Sequence, residues 1–539
     1  MSISEEAYRV MEDIVGAGYI SSDAVDMEAY RGGVEGYGAS MGFAKVMSRL
    51  PAAVIMPKTT EEVQKIVRVC NLFKIPFIPV STMFWLAQSV PHVEGSLLID
   101  LKRMDKLEID EEHMYALVES GVIYSQLQEQ AMRRGLYTTV PGGGSQVSVI
   151  ANMLDCGFSP LNFRNGFPSR RLLGIEWVLP DGEILRTGSL AFSDDPFWGE
   201  GPGPELRGIL RGNAPGWNGS FGICTQMAIK LSPFQPEKLE PSGISPHTTL
   251  QLPPKRMRWI NFTLPDREAL INAMYKIGEA EVSAAMTKVP IFFRVVAKSE
   301  SKEDFWELWR KESEESLAKF HVLRVLLIGY TSEEQLDYEE RVLMDIMGEL
   351  GGEPRRTKPT DESWFKNADS AGMWLMAGGY ISVEYCLETI ESAAQQGEDY
   401  ATLKKQYTPP LMADYGDPGW FQSIEIGHGG YFEFLIFYDP REDTNRVDHF
   451  YLETAKLNIK KGHWTSFCGS SQPIRLIGPA YGPNFHLWMM KVKETFDVNS
   501  LSNPPVPYEH DVFIDRAEWM HPLEDWKDPI KDWKDPNME

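Results

Sequence analysis

Cysteine is scarce in this chain, and its few positions argue against one common use of the residue. The 539 residues contain five cysteines, and no two of them form a CxxC pair. Scattered positions and an odd count are typical of reduced thiols in a cytoplasmic protein and argue against a disulfide framework. Because a buried free thiol behaves as a small apolar side chain, we interpret all five as structural residues: Cys70, Cys156, Cys224, Cys386 and Cys468.

Positive charge is also in short supply. Lys and Arg total 53 against 77 Asp and Glu, which gives a formal net charge of -24. Such a surface repels phosphate backbones and anionic lipids, so we expect no nucleic acid partner. No run approaches the ~20 uncharged apolar residues of a membrane span, and the start, MSISEEAYRVMEDIV, has no basic segment of a secretory signal. We therefore expect a cytoplasmic protein without a membrane span.

The first half of the chain has the pattern of an α+β domain. Residues 51–80 predict a strand, a helix capped by Thr59 or Thr60, and a second strand. A glycine-rich loop, VPGGGS, follows later, and LLGIEWVLPDGEILRTG predicts two strands joined by a Pro-Asp-Gly turn. Residues 233–254 are rich in Pro, Ser and Thr, which indicates a domain boundary.

The second half is built differently, from long amphipathic helices that alternate with strands. The predicted helices are Asp266 to Val282, Lys302 to Phe320 and Ser332 to Gly351. The runs VPIFFRVVA and VLRVLLIGY predict strands between them. The pattern indicates a second α+β unit.

Three blocks of motifs lie in order along nearly the whole chain. The first is P-x-x-V-I-x-P-x-x-x-E-E-V at Pro51 to Val63, followed by IPFIPVST and GSLLIDLKRMDKL. The second is VPGGGS with IAN, then GIEWVLPDGE and RTG. The third is GSFGICT at Gly219 to Thr225, with MMKVKETFDVNSLSNP near the end. In order and spacing these blocks resemble the vanillyl-alcohol oxidase/p-cresol methylhydroxylase (PCMH) superfamily of flavoproteins.

The resemblance implies an α+β fold in which a PCMH-type FAD-binding domain encloses an inserted α+β cap domain that binds substrate. The implied boundaries are residues 1–236 for the FAD-binding domain and 237–465 for the cap. Residues 466–539 would return to the first domain and end in a tail.

In such a fold FAD is held by loops instead of a Rossmann GxGxxG motif. Glycines let backbone N–H groups approach the pyrophosphate oxygens closely. The resemblance also implies that a Gly-Ile pair lies by its main chain against the flavin. The candidate cofactor-binding residues are Ser81, Thr82, Met83, Phe84, Trp85, Leu86, Pro141, Gly142, Gly143, Gly144, Ser145, Ser148, Asn152, Gly222 and Ile223.

The first phosphate-binding loop departs from the family's pattern. Relatives carry a glycine-rich stretch there, whereas this chain reads VSTMFWLAQSVPHVEGS, without a glycine before Gly95. Residues with a bulky Cβ do not reach positive φ cheaply. Two interpretations stay open. Either Ser81, Thr82 and other main-chain amides bind FAD along a modified path, or the apolar loop fills the site.

Two positions in the cap concern cofactor attachment and metal binding. YFEFLIFYDP aligns with the segment that supplies a linking histidine in some relatives, and Leu435 stands near that place. The resemblance therefore implies noncovalent FAD. GHGGYFEFLIFYDPRED is similar to a metal-binding motif of D-2-hydroxyacid dehydrogenases, but His428 is the only histidine of the motif that is present. Because a metal needs several convergent donors, we expect no metal site.

Catalytic candidates follow from the chemistry of flavin dehydrogenation. That chemistry needs a group to accept the substrate proton, and often a cation to stabilise a developing oxyanion. His428, Tyr431 and Glu433 are candidates from the cap, because Tyr431 and Glu433 alternate on a strand and would share a face. His463 and Arg475 are the alternative candidates, from the returning segment.

Three hypotheses of function follow. The first is an FAD-dependent oxidoreductase that oxidises a hydroxyl or benzylic carbon of an aromatic, lignin-derived small molecule by hydride transfer to flavin N5. Oxygen, a cytochrome or another protein would then accept the electrons, and the resemblance implies a homo-oligomer. The second is a D-2-hydroxyacid dehydrogenase. The third, motivated by residues 83–86, is a flavin-free homologue that serves as a binding or assembly subunit.

Overall fold

The structure of the chain is a computed structural model. It describes residues 3–30, 49–83, 91, 93–142, 144–154, 157–192, 205–210, 219–234, 239–240, 242–243, 251–288, 290–312, 321–357, 364–365, 376–414, 419–443, 445–463, 466–467 and 485–504.

The chain begins with a small sheet of four strands in the order β1, β2, β4, β3. Strands β2 and β3 both pair with β4 in parallel, so a helix must cross between them. The elements of this part are α1 (Glu5–Val15), β1 (Ile20–Ser21), α2 (Ala24–Ala29), β2 (Ala53–Ile55), α3 (Thr60–Phe73), β3 (Phe77–Val80) and β4 (Leu97–Asp100).

Helix α3 confirms the predicted strand-helix-strand unit. The Thr59 side chain caps it by accepting from Glu62 N at 3.2 Å, and two glutamates in the first turn favour the positive end of the helix dipole. One apolar face is buried against the sheet, with Val63, Ile66, Val67 and Cys70 all fully covered.

A second sheet of five antiparallel strands follows, in the order β5, β6, β10, β8, β9. The predicted pair joined by a Pro-Asp-Gly turn is confirmed as β8 and β9. The elements are β5 (Leu107–Asp110), β6 (Tyr115–Glu119), α4 (Tyr124–Arg133), β7 (Leu136–Tyr137), α5 (Val149–Leu154), α6 (Asn162–Asn165), β8 (Leu172–Val178), β9 (Ile184–Arg186), α7 (Arg207–Leu210), β10 (Ile223–Lys230) and β11 (Ser232–Pro233).

The cap contains a sheet of eight antiparallel strands, in the order β15, β12, β14, β13, β17, β18, β16, β19. Its strands and helices are β12 (Met257–Thr263), α8 (Arg267–Glu279), β13 (Ala285–Lys288), α9 (Ile291–Val296), α10 (Lys302–Lys311), β14 (Val322–Ile328), α11 (Glu333–Glu349), β15 (Glu353–Thr357), β16 (Gly379–Glu388), α12 (Ile390–Lys404), β17 (Trp420–Ile424), β18 (Gly429–Tyr438), α13 (Asn445–Lys461) and β19 (Ser466–Phe467).

The two faces of the cap sheet have different neighbours. On one face, strand residues such as Val325 and Phe434 pack against helices α8, α11, α12 and α13. On the other face, Trp259 and Leu326 pack against Tyr137 and other residues of the first domain, which contains the first two sheets. This second face is therefore the one that a ligand between the domains would meet.

One predicted strand of the cap is wrong. VPIFFRVVA was expected to be a strand, but Ile291–Val296 forms helix α9 directly after Pro290. Short apolar runs carry no distinguishing period, and here Phe292 and Val295 are both buried in an aromatic cluster. Pro290 precedes the helix and has no N–H to donate to a strand ladder, and the strand lies just before it, at Ala285–Lys288.

The C-terminal helix α14 (Phe485–Phe496) and the residues up to 504 pack on the first domain. Phe77 N donates to the Leu501 carbonyl and Asn503 N to the Phe77 carbonyl, at 2.8 and 2.7 Å. The ring of Phe496 also stacks on Trp177 of β8. These contacts agree with the predicted return of the chain, although the domain boundaries themselves stay predictions.

Two findings concern the predictions from composition. Cys70 and Cys224 are free and buried, and burial raises the pKa of both thiols far above the ordinary value. Both therefore stay protonated, as structural thiols would. Throughout the part of the chain that the structure describes, we find no helix long and apolar enough to cross a membrane.

Candidate active site

The glycine-rich loop after β7 is tied by its main chain to the turn that follows α5. Gly142 N donates to the Phe158 carbonyl at 2.7 Å, and Gly144 N to the Pro141 carbonyl at 3.1 Å. Gly144 has a φ of 139°, in the region that favours glycine. Gly143 lies outside the described residues. The loop and Phe158 are thus held together.

Two serines of this loop use their side chains within the protein. The Ser125 hydroxyl donates to the Ser145 hydroxyl at 2.7 Å, and the Ser148 hydroxyl donates to the Ser120 carbonyl at 2.8 Å. All four residues are buried. The two loop serines therefore fix the shape of the loop, so its contribution to cofactor binding is expected from main-chain groups.

Polar side chains beside the loop differ in whether they have a partner. Asn152 donates to the Tyr124 hydroxyl at 2.8 Å, and burial raises the pKa of that tyrosine. By contrast, three buried oxygens have no hydrogen-bond partner in the described structure: Thr138 Oγ1, Thr139 Oγ1 and Gln146 Oε1. Buried polar atoms are normally paired. Orphaned atoms on both sides of a glycine-rich loop fit a polar cofactor such as FAD.

The first phosphate-binding loop begins with Ser81, Thr82 and Met83, which are half-buried. Met83 has a φ of 50°, so the turn uses a left-handed conformation although it has no glycine. This conformation is costly for a residue with a Cβ, and the Met83 side chain packs against the apolar cluster that contains Val54, Ile78 and Val80. Phe84, Trp85 and Leu86 lie outside the described residues.

Gly222 occupies a position that excludes every larger residue. Its φ is 100°, and an added Cβ would lie 2.3 Å from the Val178 carbonyl oxygen. Its N–H donates to the Ser502 hydroxyl at 3.0 Å, and the next residue, Ile223, is buried at the start of β10. A tight turn is therefore built at the Gly-Ile pair for which the resemblance implies a flavin contact.

A buried lysine that is not among the candidates predicted from the sequence fixes this turn. Lys493 Nζ on α14 donates at 2.7 Å to each of the Asp497 carboxylate, the Ser220 carbonyl and the Ser502 carbonyl. The Asp497 carboxylate also accepts from Leu501 N and Ser502 N. Desolvation lowers the pKa of Lys493, and Asp497 counteracts that shift. We call this arrangement the lysine clamp. Its sequence signal is a Lys and an Asp four residues apart in KVKETFD.

In the cap, five polar residues form a row across five neighbouring strands. Asn261 pairs with Arg324, and Arg324 with Thr287. Because Lys288 pairs with Phe421, Thr287 lies beside Gln422, which pairs with Tyr431. All five side chains share the face that carries Trp259 and Leu326, toward the first domain. We call this set the polar row: Asn261, Arg324, Thr287, Gln422 and Tyr431.

Tyr431 and Glu433 come together at one end of the polar row. The Tyr431 hydroxyl donates to Glu433 Oε2 at 3.0 Å, as their alternation on β18 predicts. The Tyr431 ring is fully buried and stacks on Phe158, with ring centroids 3.5 Å apart. Trp420 lies edge-on to Phe158 at 6.3 Å. The pair therefore lies beside the segment that holds the glycine-rich loop.

Further hydrogen bonds hold the cap to this segment. Gln422 Nε2 of the polar row donates to the Ser159 carbonyl at 3.0 Å. At the end of β17, Glu425 N donates to the Asn162 carbonyl at 3.1 Å. Arg170 pairs with the Glu425 carboxylate. The relative position of Tyr431 and the loop is thus fixed by contacts on either side.

The other described catalytic candidates, His428 and His463, lie away from Tyr431 and Glu433. His428 lies exposed in the turn between β17 and β18, where its N–H donates to the Glu425 carbonyl. His463 follows α13 and lies 2.8 Å from the Asp399 carboxylate of α12, in the helical layer on the opposite side of the sheet. Arg475 lies outside the described residues. Tyr431 and Glu433 remain as the candidates that share a site.

The cap shows no built metal centre in its described part. Nowhere in the described ranges do three His, Cys, Asp or Glu side chains converge on a metal-binding point. Leu435, at the position for which the resemblance suggests a linking histidine in some relatives, is buried in an apolar cluster with Phe292 and Phe437.

Comparison with known proteins defines the class. The family model of the FAD binding domain matches residues 51–188. The flavoprotein subunit of 4-cresol dehydrogenase (hydroxylating) from Pseudomonas putida is 24% identical over 484 residues, which cover 84% of this chain and 87% of that protein. Glycolate oxidase subunit GlcD of Bacillus subtilis is 30% identical over 186 residues, 34% of this chain and 37% of that protein. The crystal structure of p-cresol methylhydroxylase with substrate bound has a TM-score of 0.70 at 19% identity, over 93% of this chain and 95% of that one.

The sheets, the glycine-rich loop and these similarities define a flavoprotein with a PCMH-type FAD-binding domain. Residues 51–188 match the FAD binding domain, the chain is similar to the 4-cresol dehydrogenase flavoprotein subunit along most of its length, and the predicted α+β fold is confirmed. At the level of class it is an FAD-dependent oxidoreductase, as predicted. The matched residues 51–188 include the loop without glycine, which supports flavin binding over the flavin-free alternative.

Proposed function

We propose that this chain oxidises a hydroxyl or benzylic carbon of an aromatic small molecule, with noncovalently bound FAD. The observation that carries the proposal is the hydrogen-bonded pair of Tyr431 and Glu433. Tyr431 of this pair stacks on Phe158, whose carbonyl accepts from Gly142 of the glycine-rich loop. A group able to accept a proton therefore lies next to the candidate cofactor loop.

The pair can remove the substrate proton. Oxidation of an alcohol takes a hydride from carbon and a proton from oxygen. FAD, when bound, would supply the hydride acceptor. As the Tyr431 oxygen accepts the substrate proton, its own proton can pass to the Glu433 carboxylate. Because Tyr431 is buried and Glu433 is half-exposed, the proton can then leave to water through Glu433.

Aromatic rings next to the pair support an aromatic substrate. Trp420 lies edge-on to both Phe158 and Phe293, with centroids 6.3 and 6.0 Å apart. Such surfaces bind flat apolar rings. The relative named for 4-cresol covers 84% of this chain, whereas the one named for glycolate covers 34%. An aromatic substrate is therefore favoured over a 2-hydroxy acid.

FAD would be held mainly by main-chain groups of Gly142, Gly144 and Gly222. Noncovalent binding is supported by Leu435, because a leucine side chain has no nucleophilic atom. The relative from Pseudomonas putida is named as a flavoprotein subunit, which supports a separate electron-accepting partner such as a cytochrome. Oxygen is the alternative acceptor, and we also propose self-association into a homo-oligomer.

The first test is the visible spectrum of the purified protein. Flavin absorbance that acid precipitation releases into solution supports noncovalent FAD, and a colourless protein that cannot be reconstituted contradicts the proposal. Anaerobic mixing with phenolic and benzylic alcohols should then bleach the flavin, while lactate and glycolate should not.

Substitutions test the role of the pair. Tyr431→Phe and Glu433→Gln should each slow flavin bleaching about 100-fold, the usual scale of acid-base catalysis, with FAD still bound. Tyr338→Phe is the matched control, because Tyr338 is 58% exposed on helix α11. Bleaching of both site variants at the rate of the control would remove Tyr431 and Glu433 from the mechanism.

A further inference from the structure

The polar row has opposite charges near its two ends. Arg324 lies on β14, whereas Tyr431 on β18 is hydrogen-bonded to the Glu433 carboxylate. Trp259 and Leu326 lie two residues along the same strands and on the same face as Asn261 and Arg324, and they belong to an apolar cluster. Arg324 is also the only polar residue in the strand sequence VLRVLLI. Arg324 is therefore a cation on the face of the cap sheet that lies toward the first domain.

The surroundings of Arg324 suit the binding of a planar anion. Its neighbours in the row are Asn261 and Thr287. The guanidinium carbon lies 5.5 Å from the centroid of the Trp364 ring, and Trp364 is buried in the cluster between the domains. A cation–π contact uses no N–H group, so it is compatible with paired hydrogen bonds from the guanidinium to a carboxylate.

A second feature of this subsite is Asn261 Oδ1. The atom is buried, and no hydrogen-bond partner is found for it within the described residues. A buried amide usually has its groups satisfied, so a ligand with polar atoms fits here. Asn261 and Arg324 are direct neighbours on adjacent strands, and one polar group of a ligand could reach both.

We propose that Arg324 binds a carboxylate of the substrate, which makes the substrate an aromatic acid whose oxidised hydroxyl is remote from its carboxylate. This inference rests on the proposed function, since it takes Tyr431 and Glu433 as the oxidised end of the site. Two strands separate β14 from β18, so the Cα atoms of Arg324 and Tyr431 are about 14 Å apart at the usual strand spacing. An aromatic ring between the two functional groups bridges that gap.

This spacing argues against 2-hydroxy acids. Their hydroxyl and carboxylate are on adjacent carbons, so one molecule does not span two side chains that stand upright on strands about 14 Å apart. A chain with a net charge of -24 repels anions, so an anionic substrate needs a cation within the site, and Arg324 supplies one.

Binding and turnover of a matched pair of compounds test the inference. The probes are 4-(hydroxymethyl)benzoate and its methyl ester, measured by titration calorimetry and by anaerobic bleaching on the FAD-loaded full-length protein. Arg324→Met should weaken binding of the acid at least about tenfold, the value of one charged hydrogen bond, and leave the ester unchanged. Arg324→Lys should recover part of the loss. Arg441→Met is the control, since Arg441 is 78% exposed and pairs with Asp439 on a surface turn.

The outcomes separate the inference from the proposed function. Equal affinity of the wild type for acid and ester, failure to bind the acid at all, or equal losses for both compounds in Arg324→Met would overturn the carboxylate site. Selective binding of the acid without bleaching would support the carboxylate site and contradict the proposed reaction.

Discussion

The lysine clamp predicts a specific link between a buried ion pair and cofactor affinity. Lys493→Met removes three hydrogen bonds of 2.7 Å and leaves the Asp497 carboxylate, 1% exposed, without its cation. Breaking a buried pair costs roughly 3–5 kcal/mol. Because Asp497 keeps two backbone donors, we expect about 3 kcal/mol, the lower end of that range.

This loss of free energy should weaken FAD binding, because the clamp holds the turn at Gly222. It holds Ser220 and Ser502, and the Ser502 hydroxyl in turn accepts from Gly222 N and donates to the Gly219 carbonyl. If the turn is correctly formed in only one tenth of the molecules, the apparent Kd for FAD rises about tenfold. Fluorescence titration of the flavin-depleted protein with FAD measures this change.

The cap supplies a matched control. Lys404 and Asp414 form another buried Lys–Asp pair, in contact with Phe434 of the cap sheet. Lys404→Met should lower the thermal midpoint about as much as Lys493→Met does. Its FAD affinity should stay within about twofold of wild type. If the two variants have the same Kd for FAD, the clamp is a stability element only, and the reasoning about the turn is refuted.

Four further substitutions test two glycines and two histidines. Gly222→Ala should abolish FAD binding or folding, because its Cβ would meet the Val178 carbonyl oxygen at 2.3 Å. Gly348→Ala, in helix α11 with nothing within 4 Å of the added Cβ, should instead raise the thermal midpoint slightly. His428→Ala should leave flavin bleaching unchanged. His463→Ala should lower the thermal midpoint by loss of the Asp399 contact while bleaching stays at the wild-type rate; a slower rate in either variant would restore that histidine as a catalytic candidate.

Much of the fold could be predicted from local signals in the sequence. The cap at Thr59, the Pro-Asp-Gly turn and the spacing of buried residues in α3 act over a few residues, so the sequence determines them directly. The same holds for the pair of Tyr431 and Glu433, since alternation on one strand puts both side chains on one face whatever the partner strands are. The segment Ile291–Val296 was misassigned because an apolar run without a period fits a buried helix as well as a strand.

The rest of the site depends on contacts between distant parts of the chain. Alternation shows that Arg324 and Gln422 each face one side of a strand, but only the strand order and register put them in one row. Phe158 meets Tyr431, and Lys493 meets Ser220, across more than 250 residues of sequence. His428 and His463 had the right chemistry for catalysis, and tertiary packing put one on an exposed turn and the other in the helical layer of the cap.

By itself, the sequence determined the resemblance to the flavoproteins, the elements with strong local signals and the residues with suitable chemistry, because motifs, caps and periodicity are properties of short segments. Only the tertiary structure decided which of those residues share a site, because strand order, register and the return of α14 onto the first domain bring together groups that are far apart in the chain.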